Sequence, residues 1–131
     1  EYIKGRELTV SIIGSEPVAL PIIEIKPKSG FYDYKSKYTK NMTQYIVPAE
    51  LDKKIATMIS EIALKCHRVL GCSGISRVDF MLDDHSNAYV FELNTMPGMT
   101  ARSLVPKAAE AAGIDFALLV EIILDSAKLK I

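Results

Sequence analysis

The sequence predicts an α+β domain, a mostly antiparallel sheet with flanking helices. Three observations carry this. β-rich runs come in pairs joined by short polar turns, stretches with a helical apolar period stand apart from them, and 131 residues are enough for one domain with a core of its own. The chain is therefore read as a single domain, 1–131, interrupted by one long loop.

The elements follow in order. Glu7 to Ile13 and Val18 to Ile25 are β-rich runs joined by Gly14-Ser15-Glu16-Pro17, which reads as a hairpin. From about 26 to 44 the pattern fails, and a loop of that length in a compact domain is usually functional or disordered. It holds Pro27, Gly30, Phe31, three tyrosines (Tyr32, Tyr34, Tyr38) and lysines that include Lys37, and it is expected to be mobile. Tyr45 to Val47 is a short strand before Pro48. Leu51 to Leu70 is the clearest helix: Ile55, Met58, Ile59, Ile62, Cys66, Val69 and Leu70 form one apolar stripe, and Gly71 ends it. Ser103 can cap a helix running to Ala112, with Pro106 tolerated in the first turn, and Asp115 can cap a last helix to about Lys128.

The most informative segment lies between these helices. Ser76 to Leu82 and Tyr89 to Thr95 flank the turn-forming cluster Asp83-Asp84-His85-Ser86-Asn87-Ala88, so they read as an antiparallel hairpin. With the fold-back centred between His85 and Ser86, Asp79 faces Glu92 and Arg77 faces Asn94. Side chains alternate along a strand, so these four share one face. Val78, Phe80, Leu82, Tyr89, Phe91 and Leu93 then occupy the other, which carries no charge. Two carboxylates about 5 Å apart repel by roughly 3 kcal/mol at an effective dielectric near 20. Arg77 can offset this as a structural partner. A divalent cation is the stronger candidate, because two carboxylates and the Asn94 amide oxygen are hard ligands of the kind Mg²⁺ takes, completed by water and phosphate. A solvated polar face with incidental acids is the plain alternative.

Composition narrows the function classes. Sixteen basic and sixteen acidic side chains cancel, which argues against nucleic acid or an anionic membrane as partner. No apolar run approaches the ~20 residues of a membrane span. Cys66 and Cys72 suggest neither a disulfide framework nor a zinc site and are read as reduced thiols of a cytoplasmic protein. His67 and His85 lack partners at metal-ligand spacing and are read as structural, Asp83 and Asp84 as turn formers. The start at Glu1 rather than Met suggests a piece of a longer protein.

Two further places can carry chemistry. A lysine such as Lys37 in a long loop can close over a phosphate as a point charge, although a solvated lysine is the ordinary reading. The helix start at Ser103, with the first free N–H groups including that of Leu104, can receive a carboxylate or phosphate, and Gly98 allows a backbone N–H to approach a ligand closely.

Together these segments resemble the C-terminal part of the D-alanine–D-alanine ligase family, which are ATP-grasp enzymes. The matching pieces are Gly5-Arg6-Glu7-Leu8-Thr9-Val10, Gly30-Phe31-Tyr32-Asp33-Tyr34 with Lys37-Tyr38, Ser76-Arg77-Val78-Asp79-Phe80, and Glu92-Leu93-Asn94-Thr95-Met96-Pro97-Gly98-Met99-Thr100 followed by Ser103-Leu104-Val105-Pro106. The resemblance implies an ATP-grasp C-terminal domain whose parent joins two D-alanines with ATP through an acyl phosphate, for peptidoglycan synthesis. It implies that Asp79, Glu92 and Asn94 hold two Mg²⁺ (or Mn²⁺) ions and that Arg77, with the Gly98 N–H, stabilises the reacting centre. Lys37 would reach the ATP phosphates, Glu7 the ribose, and Ile3 and Phe31 would lie near the adenine. Ser103 and Leu104 would hold the second D-alanine carboxylate. Tyr38 matches the dipeptide-forming members. A homodimeric, cytoplasmic full-length protein is implied, with small-molecule partners D-alanine and ATP, no nucleic acid and no membrane. The family's N-terminal and central domains are not in these 131 residues, so the segment alone is expected to be inactive. Two other readings remain: another ATP-grasp carboxylate–amine ligase, or a non-catalytic nucleotide- or metal-binding module.

Overall fold

The computed structural model describes residues 1–27 and 43–127. Strands β1 (Gly5–Gly14), β2 (Val18–Ala19), β3 (Ile23–Pro27) and β4 (Thr43–Ile46) precede helix α1 (Lys53–Val69). Strands β5 (Gly74–Asp83) and β6 (Ala88–Asn94) follow, then helices α2 (Leu104–Ala111) and α3 (Phe116–Asp125). The sheet runs β4-β3-β1-β5-β6, with β2 paired to the end of β1, and all its pairings are antiparallel. The expected α+β class with an antiparallel sheet and flanking helices is what forms.

The alternation in β1 makes the sheet two-sided. Leu8, Val10 and Ile12 join Val78, Phe80 and Leu82 of β5 and pack on Ile59 and Ala63 of α1. On the other face Ile13, Ile23 and Ile25 pack against Leu104, Val105, Ala108 and Ala109 of α2 and Leu119 of α3. Each helix covers one sheet face with its apolar stripe, so the two central strands are buried on both sides.

Several details differ from the sequence reading, each for a local reason. The run 18–25 is not one strand. Pro21 has no N–H to give to a ladder, and the pairing to β1 shifts by one residue across it, from Ile12↔Ala19 to Thr9↔Ile23. The loop expected at about 26–44 is shorter at both ends, because Lys26 pairs with Gln44 and Pro27 with Thr43. The expectations that fall on 28–42, including Phe31, Lys37 and Tyr38, lie outside the described residues. Helix α1 ends at Val69, and Val69 and Leu70 are exposed rather than part of its stripe. Gly71, at φ +63°, closes a Schellman turn: its N–H donates to Arg68 O and that of Cys72 to His67 O, at 3.0 Å each. That reversal carries the chain away before residues 69 and 70 can reach the sheet. Helix α3 ends at Asp125, short of Lys128, which is itself outside the described residues. Its expected cap is present, with Asp115 Oδ1 accepting the Leu118 N–H at 2.8 Å.

His67 takes the buried place on α1 that the stripe assigned elsewhere. It is 1% exposed, and its Nδ1 lies 2.8 Å from Ser76 Oγ on β5. Among the described residues, its buried Nε2 has no hydrogen-bond partner. Burial, with the charge of Arg68 adding to it, pushes the His67 pKa below its ordinary value. A histidine lowered by folding stabilises the fold fully above its unfolded value of about 6.5, and that stability is lost as pH falls through the lowered value. The thermal midpoint should therefore drop between about pH 7.5 and about pH 5.5, and His67→Gln should flatten that drop. An identical pH profile for the variant would contradict the assignment.

Candidate active site

The hairpin β5–β6 forms with the expected register where chemistry was expected. Arg77 pairs with Asn94, Val78 with Leu93 and Asp79 with Glu92. Its turn is held by Asp83, whose Oδ1 accepts the N–H groups of His85 and Asn87 at 2.9 and 2.8 Å. Between Asp79 and Phe80 the register shifts, so that Phe80 pairs with Val90 and Leu82 with Ala88. A bulge of this kind adds one residue to one strand and turns the side chains beyond it. The correction concerns the apolar face: Tyr89 and Phe91 do not belong to it and are exposed, at 42% and 55%. Ala88 and Leu93 pack on the core instead.

The site face itself is tightly bonded. Asp79 is 7% exposed. Arg77 grips it with two parallel bonds, Nε to Oδ1 at 2.9 Å and Nη2 to Oδ2 at 2.7 Å. Asn94 Nδ2 donates to Oδ2 at 3.4 Å. From the neighbouring strand, Thr9 Oγ1 donates to Oδ1 at 2.5 Å. The Arg77 guanidinium offsets part of the repulsion between Asp79 and Glu92, in the bidentate form that suits a poorly hydrated ion pair.

Sequence reading did not single out Thr9. The signal was there: Glu7-Leu8-Thr9-Val10-Ser11-Ile12 alternates polar and apolar residues in an otherwise apolar run, and β1 sets Thr9 opposite Asp79 and Ser11 opposite Arg77. Glu7 stands opposite Met81 on this same face, and Ile3 lies half-buried just before β1.

Beyond β6 the chain turns back to start α2, and a cleft of about 500 Å³ opens between them. Arg77, Glu92, Asn94, Gly98, Ser103 and Leu104, all nominated from sequence, line it; Tyr45, Met96, Pro97, Thr100 and Arg102 complete the wall. Tyr45 comes from the edge strand β4, whose pairing gave no sequence signal, and its ring has Lys107 Nζ 5.5 Å from its centroid. Ser103 is the residue before α2 as expected, but it does not cap the helix. Its Oγ accepts the Thr100 N–H at 3.0 Å and lies 2.9 Å from Thr100 Oγ1, which ties down the loop. The first N–H groups of α2 therefore lack a side-chain cap of their own, and a helix start in that condition favours an anion. Gly98 lies close to this loop bond: a Cβ there would be 2.8 Å from Ser103 Oγ, and the hydroxyl would have to shift.

A family model described as D-ala D-ala ligase C-terminus matches residues 1–125. The chain belongs to that family. It is 49% identical, over 92% of its length, to D-alanine–D-alanine ligase of Pelotomaculum thermopropionicum, of which it covers 38%. Among solved structures it is similar to D-alanine–D-alanine ligase of Bacillus anthracis complexed with ATP, at 42% identity and TM-score 0.78, over 95% of this chain and 40% of that one. It is also similar to VanG D-Ala:D-Ser ligase of Enterococcus faecalis, at 31% identity and TM-score 0.78, over 95% and 37%. The ATP-grasp C-terminal fold expected from the motifs is thus borne out, and the chain spans about 40% of the length of these relatives.

The Arg77–Asp79 pair has side chains only 12% and 10% exposed. Arg77→Ala should leave the carboxylate short of donors and lower stability by roughly 2 kcal/mol, measured as a shift of the urea midpoint. A shift within error of zero would show that the pair contributes nothing.

Proposed function

We propose that the full-length protein carrying this chain is a D-alanine–D-alanine ligase that uses ATP to phosphorylate one D-alanine carboxylate. The amine of a second D-alanine then attacks the acyl phosphate, phosphate leaves, and the dipeptide serves peptidoglycan synthesis. One observation carries the reading: Arg77, Glu92 and Asn94 open onto the same cleft as the uncapped start of α2. Cationic and oxygen donors for a phosphoryl group thus stand next to a place for a carboxylate.

The donor set fits a hard divalent cation. Asp79 and Glu92 are strand neighbours, Asn94 adds an amide oxygen, and among the described residues no group of three or more His, Cys, Asp or Glu side chains forms an all-protein cage. Mg²⁺ bound with nucleotide takes few carboxylates of this kind and leaves the rest to water and phosphates. Asp79, Glu92 and Asn94 would hold two Mg²⁺ (or Mn²⁺) ions, which when bound neutralise charge on the ATP phosphates. Arg77 stabilises charge on the transferring group and, with the Gly98 N–H, on the tetrahedral centre. The Ser103 hydroxyl and the Leu104 N–H receive the second D-alanine carboxylate. Glu7 holds the ribose, Ile3 and Phe31 flank the adenine, and Lys37 brings a point charge to the phosphates. Tyr38 belongs with the dipeptide-forming pattern. The domain assignment of 1–131 as the ATP-grasp C-terminal domain, a homodimeric assembly and a cytoplasmic location complete the proposal. Among the described residues no helix is long and apolar enough to cross a membrane.

A second reading has a specific support. The similar solved structure from Enterococcus faecalis is a D-Ala:D-Ser ligase, so the fold alone leaves the second amino acid open. ADP release by the full-length protein, with D-alanine alone and with D-serine or D-lactate added, separates them. D-alanine alone should suffice and yield D-alanyl-D-alanine by mass spectrometry. ADP release that requires another acceptor would support the second reading, and none with any acceptor would leave a binding module.

Asp79→Ala and Glu92→Ala should each abolish turnover in the full-length protein, a loss of about a thousandfold or more. Near-wild-type turnover in either would defeat the metal assignment. Lys37→Ala should lower kcat more than it raises the KM for D-alanine; an effect confined to that KM would contradict its phosphate role.

A further inference from the structure

Asp79 is held from three directions, and the donors are not equivalent. The two oxygens of a carboxylate carry about four lone-pair directions. Here all are engaged: Thr9 Oγ1 and Arg77 Nε on Oδ1, Arg77 Nη2 and Asn94 Nδ2 on Oδ2. A cation arriving at Asp79 must therefore take the place of a donor. Arg77 and Asn94 border the cleft and end in side chains that can turn into it. Thr9 cannot follow them. It is 1% exposed, its χ1 is stiffened by β-branching, and it sits on β1 between β3 and β5. Its Oγ1 also lies 3.4 Å from Val78 O, the carbonyl just before Asp79, so the hydroxyl is fixed against the same stretch of backbone that carries the carboxylate.

We propose that Thr9 is a positioning residue: its hydroxyl, directly opposite Asp79 on the neighbouring strand, holds Oδ1 in place so that Oδ2 and the outward lone pair meet the cation when the Arg77 guanidinium and the Asn94 Nδ2 group release the carboxylate. This rests on the reading of Asp79 as a cation ligand. Of these donors Thr9 is the one buried within the sheet, so its bond to Oδ1 is the one that stays when a cation takes the place of another donor. Outer bonds of this type that orient a ligand typically change metal affinity by about 10- to 100-fold when removed.

The test is Mn²⁺ binding to the full-length protein in the presence of ADP, read from the free-ion signal in electron paramagnetic resonance. Two pairs isolate the hydroxyl, wild type against Thr9→Val and Thr9→Ser against Thr9→Ala. Each pair should differ by about tenfold in Mn²⁺ affinity, with Thr9→Ser within about twofold of wild type and ADP affinity without metal unchanged. If Thr9→Val does not fold, the serine–alanine pair reads the same quantity. Equal Mn²⁺ affinity within each pair would overturn the role of the hydroxyl. So would Thr9→Ser binding as weakly as Thr9→Val, since the methyl group and its packing would then be responsible. Asp79→Asn tests the underlying reading: ion binding lost there but intact in Thr9→Val overturns the threonine proposal alone, whereas ion binding intact in Asp79→Asn overturns both.

Discussion

Ten consecutive partner pairs between β1 and β5, from Gly5↔Asp83 to Gly14↔Gly74, are the constraint on which the site depends. Both strands are central, and both faces of each are committed. One face is sealed by α1 over Leu8, Val10, Val78 and Phe80; the other is shared between the core beneath α2 and α3 and the polar row of Glu7, Thr9, Arg77 and Asp79. A slip by one residue would drive Asp79 and Arg77 into the packing under α1 and bring Val78 and Phe80 into the cleft. Hydrophobic burial on one side of the sheet therefore fixes the position of the charges on the other.

That placement sets an electrostatic problem which the fold solves locally. Asp79 is nearly buried and has Glu92 as its strand neighbour, so it needs compensation from close range. Arg77, two residues away on the same strand, supplies a planar pair of bonds, and Thr9 and Asn94 supply neutral ones. Every bond to the carboxylate thus comes from within β1, β5 and β6. The cleft is walled in part by a helix start whose nearest serine serves the preceding loop instead of the helix.

The sequence revealed most where a period and a punctuation mark agreed. Asp83 and the polar residues after it marked a turn, and alternation on both sides marked the faces, so the pairing of Arg77, Asp79, Glu92 and Asn94 was legible. Beyond Asp79 it was not, because the bulge that exposes Tyr89 and Phe91 leaves no mark in an alternating pattern until the strands are paired. The same holds at Pro21, where a run read as one strand breaks and its pairing to β1 shifts by one residue. His67 read as a residue between stripe positions, and became core because Ser76 stands where its Nδ1 can reach it. Thr9 was the reverse case, visible in the alternation and meaningful only once β1 lay beside β5.

Local information in the chain determined the class of fold, the hairpin that carries the charged row, the helix caps at Gly71 and Asp115, and a cluster of motifs that resembles one ligase family. Those features depend on neighbours within a few residues, where periodicity and turn chemistry act. The bond to Asp79 from β1 and the wall contributed by Tyr45 were settled by contacts between segments far apart in the chain. Such contacts follow from how strands order in the sheet, a choice made by the burial of both faces together and carried by no single stretch of residues.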